Sequence, residues 1–306
     1  MEYRSAFGNW DQRASVRVKP RRDLASCPHR VYFPPELVPA VRHPLVTALG
    51  QDARHRLLVQ RLYDYLHFTS ELETLAVIPV AIRISRGQAG LSLPEPARRD
   101  AFKIVTDEAW HAQFSFELMA QVEAASGVPR REAGAPLFAT RLATIRSALG
   151  PDLLGAEDLL FAVVSETLIS AILADLPHDR RLPPAVRDLV ADHAEDEGRH
   201  HAYFRIVLKH FWHALDPAHR REVGPLLPRI VLAFLEPDHR TLHRALRDAG
   251  LTSAEADQVL AESYPPAAVR QSARAAASTT IRYFAEAGAL ADGRTRDAFQ
   301  AEGLLS

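Results

Sequence analysis

Eight residues, His193-Ala194-Glu195-Asp196-Glu197-Gly198-Arg199-His200, set imidazole and carboxylate at helical spacing. Each helical residue turns about 100°, so positions 193, 197 and 200 fall on one face. That face is His, Glu, His. Burying it costs free energy unless something compensates, and a metal ion would; without one it is a solvated acidic face. The chain also repeats itself. Asp107-Glu108-Ala109-Trp110-His111 stands 89 residues before Asp196-Glu197-Gly198-Arg199-His200, and both follow Asp-Glu-x-x-His. Glu and His three apart leave a helix on the same side and can grip one ion together.

Two such pairs on two helices, completed by one lone glutamate from each of two more, make a carboxylate-bridged dimetal site in a four-helix bundle. Glu166 offers itself as one of these, an acid inside the apolar run Ala162-Val163-Val164-Ser165-Glu166-Thr167-Leu168-Ile169, where a carboxylate rarely sits without a partner. Glu157 and Asp158 are set aside, because acids at a helix start serve the helix dipole. For the other, Glu71 and Glu73 both qualify and the pattern barely separates them. Carboxylate oxygen with imidazole nitrogen suits iron or manganese, and six or seven ligands are too many for one tetrahedral zinc. Asp107 and Asp196 then have a natural task. Each can accept the free ring N–H of a ligand histidine on the opposite helix and fix its tautomer.

Helices must carry all of this. Apolar periodicity runs from about 52 to 85 through Leu57, Leu62, Tyr65, Phe68, Leu72 and Ile78, with a kink expected at Pro79. Gly87, Gly90 and Pro94 mark a turn. A second long helix starts at Pro94 or Pro96 and stops before Gly127. Others follow over about 136–149, 156–176, 185–215 and 217–235, with shorter ones to about 288. No Asn-Gly hairpin signal and no solenoid-type repeat is present. The pattern predicts an all-α chain: an N-terminal arm over 1–35 that wraps the body, and a single helical domain over 36–306.

Composition narrows the classes. With 306 residues, 47% of them apolar, the chain can bury a large core. Its 37 basic and 38 acidic side chains leave a net charge of −1, so no global field favours nucleic acid or anionic lipid. The cluster Arg17-Val18-Lys19-Pro20-Arg21-Arg22 reads as a solvated arm. Cys27 is the single cysteine, and no signal-peptide pattern or long apolar run occurs, which points to a soluble cytoplasmic protein. There is no Gly-rich phosphate loop and no Gly-x-Ser-x-Gly. His67, His201, His210 and His213 complete no ligand spacing; His29, His43, His178, His219 and His239 sit near prolines or turns. Tyr65 and Tyr203 could line a pocket, although aromatics at helical spacing usually belong to the core.

The set of motifs resembles the ferritin-like di-iron arylamine N-oxygenases of antibiotic biosynthesis, over about residues 40–235. In that family a lone Glu, an Asp-Glu-x-x-His, a second lone Glu and a closing His-x-x-x-Glu-x-x-His follow one another at the spacing seen here. Glu73 stands 35 residues before Glu108, and Glu166 stands 58 after it. The resemblance selects Glu73 over Glu71 and implies the ligand set Glu73, Glu108, His111, Glu166, His193, Glu197 and His200. His193 is the specific part, a third histidine that most di-iron bundles lack; it would join the ion held by Glu197 and His200. The implied fold is a ferritin-like four-helix bundle with additional C-terminal helices. The implied activity is O₂-dependent oxidation of an amine to hydroxylamine, nitroso or nitro level at a centre of two iron ions, with electrons from an external donor.

One departure bears on the substrate. Family members acting on aromatic acids are expected to use an arginine five residues before the first Glu, where this chain has Phe68. The resemblance therefore implies an amine other than a free aryl acid, such as an amino acid or a carrier-protein-bound aminoacyl group, with Tyr65 and Phe68 lining its pocket. A reductase is the expected partner, a homodimer is possible, and neither nucleic acid nor membrane is expected. The competing functions are a di-iron C–H hydroxylase or desaturase, which His193 outside the ligand set would favour, and a non-enzymatic iron-binding bundle, against which the helices after residue 216 argue.

Overall fold

The computed structural model describes residues 3–24, 31–131, 134–173 and 176–305; Cys27 and His29 lie outside them. Every regular element among the described residues is helical. Helix α1 comprises Gln51–Leu72, a π-turn Glu73–Val77 and Ile78–Ser85. That π-turn stands where the kink at Pro79 was expected. Pro79 has no N–H to reach back to the Leu75 carbonyl, and the Ile78 N–H bonds Glu73 O, five residues back instead of four. The widened turn keeps Glu73, Ala76 and Val77 inside and leaves Leu75 exposed. Turns of this kind occur frequently at functional sites.

Helix α2 spans Glu95–Ser126 and stops at Gly127, which takes a left-handed φ of 68° that glycine adopts without a Cβ clash. Then come α3 (Leu137–Arg146), α4 (Ala156–Leu173) and α5 (Pro184–Ala214). Helices α1, α2, α5 and α4 close a ring, each packed on the next. Helices α2 and α5 run antiparallel, so 107 lies beside 200 and 111 beside 196. Every residue of α4 from Leu159 to Ile169 is buried, as befits a helix that is apolar all round.

The C-terminal third covers this ring. The helix expected over 217–235 is split into α6 (Pro217–Val223), a tight turn Gly224–Leu226, and α7 (Leu227–Leu235). Pro225 and Pro228 each withhold the N–H that a continuous helix needs. Then follow α8 (Arg240–Asp248), α9 (Ser253–Ser263), α10 (Pro266–Glu286) and α11 (Gly293–Ala301). Helices α7 and α10 pack on α4, and α8 packs on α1. Helix α11 lies past the limit of about 288. Its start is signalled by Asp292, whose side chain accepts the N–H groups of Arg294 and Thr295.

The basic cluster of the arm is docked rather than solvated. Lys19 pairs with Glu195 at 2.9 Å and Arg22 with Asp192 at 2.7 Å, both on α5, and Arg21 with Glu117 of α2 at 3.2 Å. Acids on the outer faces of the two helices supply the partners that the local sequence does not show, while Phe7, Trp10 and Ala14 are buried beneath.

Gly224 joins the covering layer tightly, because a methyl group there would overlap Thr295 Oγ1 of α11. Gly224→Ala should destabilise the fold by about 1–3 kcal/mol, read as a lower melting temperature, and adding Thr295→Ala should restore most of the loss. An unchanged melting temperature in Gly224→Ala would mean that the turn is free to move away from α11.

Candidate metal centre

Helix α1 contributes Glu73, α2 Glu108 and His111, α4 Glu166, and α5 His193, Glu197 and His200; none is more than 1% exposed. Glu71 is half-buried and lines a separate cavity of about 450 Å³, so the π-turn puts Glu73 inside and Glu71 out. Two sets of four donors converge. Glu108, His111, His193 and Glu197 form one, and Glu108, Glu166, Glu197 and His200 the other; within each set the ligand atoms lie within 4.8 Å of one another and could hold a metal ion. Glu108 and Glu197 belong to both. Glu73 Oε1 stands 3.8 Å from His193 Nε2, at the edge of the first set.

His193 does not group with His200. Its ring centroid is 4.2 Å from that of His111, in the first set. The reason lies in helix geometry: 193 is one turn before Glu197 and 200 is three residues after it, so the two histidines leave Glu197 in opposite directions, roughly 10 Å apart along the axis.

Behind the donors stands a layer of aspartates. Asp196 Oδ2 lies 3.1 Å from His111 Nε2, and Asp107 Oδ2 lies 3.1 Å from His200 Nε2. With Nε2–H given to an aspartate, each Nδ1 turns its lone pair inward. The N-terminal arm holds the aspartates in turn. Trp10 Nε1–H donates to both oxygens of Asp107 at 2.9 Å, and the Ser15 backbone N–H lies 3.2 Å from both oxygens of Asp196. Phe7 stacks on the His200 ring at 5.9 Å. His193 lacks such support: among the described residues its Nδ1 has no hydrogen-bond partner.

Apart from His111 Nδ1 and Glu108 Oε2, which are hydrogen-bonded at 2.7 Å, the donors crowd without satisfying each other. His200 Nδ1 is 2.7 Å from Glu108 Oε1 and His193 Nε2 is 3.0 Å from Glu197 Oε1, yet these four atoms, both oxygens of Glu73 and of Glu166, and Glu197 Oε2 make no aligned hydrogen bond among the described residues. They aim at common points rather than at one another, which is the geometry of a metal site. Burial, then neighbouring carboxylates, pushes Glu73 and Glu166 well above the usual carboxylate range. Against the same burial, Glu108 and Glu197 are held low, chiefly by His200. His111 is raised to about 10 in spite of burial, by Glu108 and then Asp196, and His200 is raised by Glu108 and Glu197. His193 is lowered, by burial and then by His111.

A cavity of about 840 Å³ opens among α1, α3, α4, α7 and α8; none of the seven donors lines it, but residues one turn or less from Glu73 and Glu166 do. Tyr65, Phe68, Thr69 and Ile169 line it; Thr69 is one turn before Glu73 and Ile169 three residues after Glu166. The Tyr65 hydroxyl is buried with no hydrogen-bond partner among the described residues. Tyr203 is elsewhere, donating to Ala97 O at 3.0 Å beneath Tyr3 and Phe7. His67 and His239, unremarkable by spacing, also line the cavity. Trp10, Phe7 and Ser15 carry no local signal either, since the groups they touch lie 97 to 181 residues away in the chain for Trp10 and Ser15.

Trp10→Phe keeps the ring and removes the donor from a buried carboxylate. It should cost about 1–3 kcal/mol, read as a lower melting temperature; no change would mean that His200 alone holds Asp107.

The sequence profile of the p-aminobenzoate N-oxygenase AurF family matches residues 6–288. A 4-aminobenzoate N-oxygenase of Streptomyces thioluteus is 25% identical over 228 residues, covering 73% of this chain and 67% of that protein. The all-α bundle, its doubled Asp-Glu-x-x-His and the length of this match agree: the chain belongs to the p-aminobenzoate N-oxygenase family of ferritin-like helical oxygenases.

Proposed function

We propose that the chain holds two iron ions through Glu73, Glu108, His111, Glu166, His193, Glu197 and His200, and uses O₂ and an external electron donor to oxidise the nitrogen of a biosynthetic amine. The observation that carries this is the pair of four-donor sets sharing Glu108 and Glu197, the arrangement of a carboxylate-bridged dinuclear centre. The orphaned buried donors fit hard to borderline cations such as iron. When bound, the two ions supply the activation of O₂ and the redox equivalents that the protein's side chains lack.

The chain's own residues do the rest. Glu108 and Glu197 would be the donors shared by both ions, with Glu73 and Glu166 at the outer positions; His111 and His200 would offer Nδ1, because their Nε2–H groups donate to Asp196 and Asp107. The apolar wall of Phe68, Phe138, Ile169 and Phe234 would exclude water around an amine held between it and the Glu73 and Glu166 side of the centre. With Phe68 in place of a cation, the inner wall offers no anchor for a ring carboxylate, which favours an amino acid or carrier-bound amine as substrate. An external reductase is the partner this reading calls for.

Anaerobic loading with ferrous ion followed by metal analysis should find about two irons per chain, the complement of a two-site carboxylate bundle; a content near zero or one defeats the dinuclear assignment. His193→Ala should still take up two irons, since its own set keeps three donors and the other set all four, but should lose amine oxidation by about tenfold or more. A variant that oxidises amine at the parent rate removes His193 from the chemistry and moves the C–H oxidase reading ahead.

A further inference from the structure

The cavity changes character along its length. Its inner half, beside Glu73 and Glu166, is made by Tyr65, Phe68, Thr69, Phe138, Ile169 and Phe234 and contains no cation. Its mouth is made by Arg61, His239, Arg240, His243 and Arg244, together with Asp64, Glu236 and Asp238. The acids are largely spoken for. Glu236 is paired with Arg141 at 2.5 Å and Asp238 with Arg240 at 2.5 Å. Asp64 accepts from Thr241 at 3.0 Å; burial raises its pKa, against the charge of Arg61 nearby, which lowers it. Arg61 and Arg244 are exposed and have no ion-pair partner among the described residues; Arg61 rests over the Phe33 ring. Arg244 also lines the adjoining 450 Å³ cavity, where Arg130 is paired with Glu123 and Arg131 with Asp248, so Arg244 is the arginine of that wall without an ion pair among the described residues.

Helix α1 provides a ruler. Arg61 is twelve residues before Glu73 and Phe68 is five, roughly 18 and 7.5 Å along the axis. An acid one benzene ring away from the reacting nitrogen would lie near Phe68, against an apolar wall. An acid at the far end of a long substrate would reach Arg61 and Arg244. The volume, about 840 Å³, is that of a pocket for a drug-sized molecule.

Resting on the oxygenase reading above for which end is reactive, we propose that this cavity takes an amine borne on an apolar head, joined by a chain to a terminal anion that Arg61 and Arg244 hold at the mouth. A carboxylate of a free acid and the phosphate of a carrier protein's prosthetic arm share this chemistry.

The test uses the full chain and a p-aminophenyl head on tails of equal reach ending in an alcohol, a carboxylate or a phosphate, with p-aminobenzoate as the short acid. Calorimetric binding, with no iron or O₂ added, should favour the anionic tails over the alcohol by about tenfold or more, the scale of a charge-assisted contact, and should place p-aminobenzoate below both. In Arg61→Gln/Arg244→Gln, two exposed changes that should leave the melting temperature intact, this preference should collapse. A stronger phosphate tail points to the carrier-borne source, a stronger carboxylate to the free acid. Equal binding of the alcohol tail, tightest binding of p-aminobenzoate, or an undiminished preference in the double variant overturns the proposal. Tail preference without nitrogen oxidation after iron loading defeats the oxygenase reading alone; nitrogen oxidation indifferent to the tail defeats this one alone.

Discussion

Four carboxylates and three imidazoles occupy one dry volume at the centre of the bundle, and the rest of the fold follows from the need to keep them there. Isolated buried charges of this number would be ruinous. Without metal, the network manages by moving protons. Burial and neighbouring carboxylates push Glu73 and Glu166 toward the protonated form, Glu108 and Glu197 pull His111 and His200 up, and His200 holds Glu108 and Glu197 down. Two dications bound at the same donors would take the place of those protons, so metal binding and acidity must oppose each other. The closely packed wall of α4, the cover of α7 and α10, and the docked arm all act to keep water from relieving that balance.

The centre consequently has two unlike sides. On one, the arm supports the histidines through Asp107 and Asp196 with an indole N–H and a backbone N–H, fixed groups that suit orientation. On the other, Thr69 and Ile169 lead from Glu73 and Glu166 into an apolar cavity with a charged mouth. His193 stands apart from both supports. It sits against His111 with no outer hydrogen bond among the described residues, so its orientation rests on packing and on the nearby Glu197 carboxylate.

The ligand set could be read in the sequence because it obeys the strictest local rule available, the i, i+3, i+4 face of a helix, and because the chain states it twice. Glu166 was legible through its apolar surroundings. Glu73 was not separable from Glu71 by pattern, since the π-turn that aims it depends on the proline after it and on packing. The pairing of His193 with His111 was hidden because face geometry says which way a side chain points but not which neighbour across the bundle it meets. Trp10, Ser15 and the basic cluster illustrate the same boundary from outside: their partners are far along the chain. The mouth of the cavity joins α1 to α8 and was invisible for that reason, whereas α11 was missed by the limit at about 288 although Asp292 is a local signal for it.

The arm's two contacts also impose an order in time. Trp10 meets Asp107 across 97 residues and Ser15 meets Asp196 across 181. Closing loops of that size is entropically the last step to be rewarded, and on the ribosome Ser15 has no partner until α5 has been made. The outer support of the histidines is thus the most distant part of the site along the chain, resting on contacts across 97 and 181 residues, while the donors it serves sit three and four residues apart on their own helices.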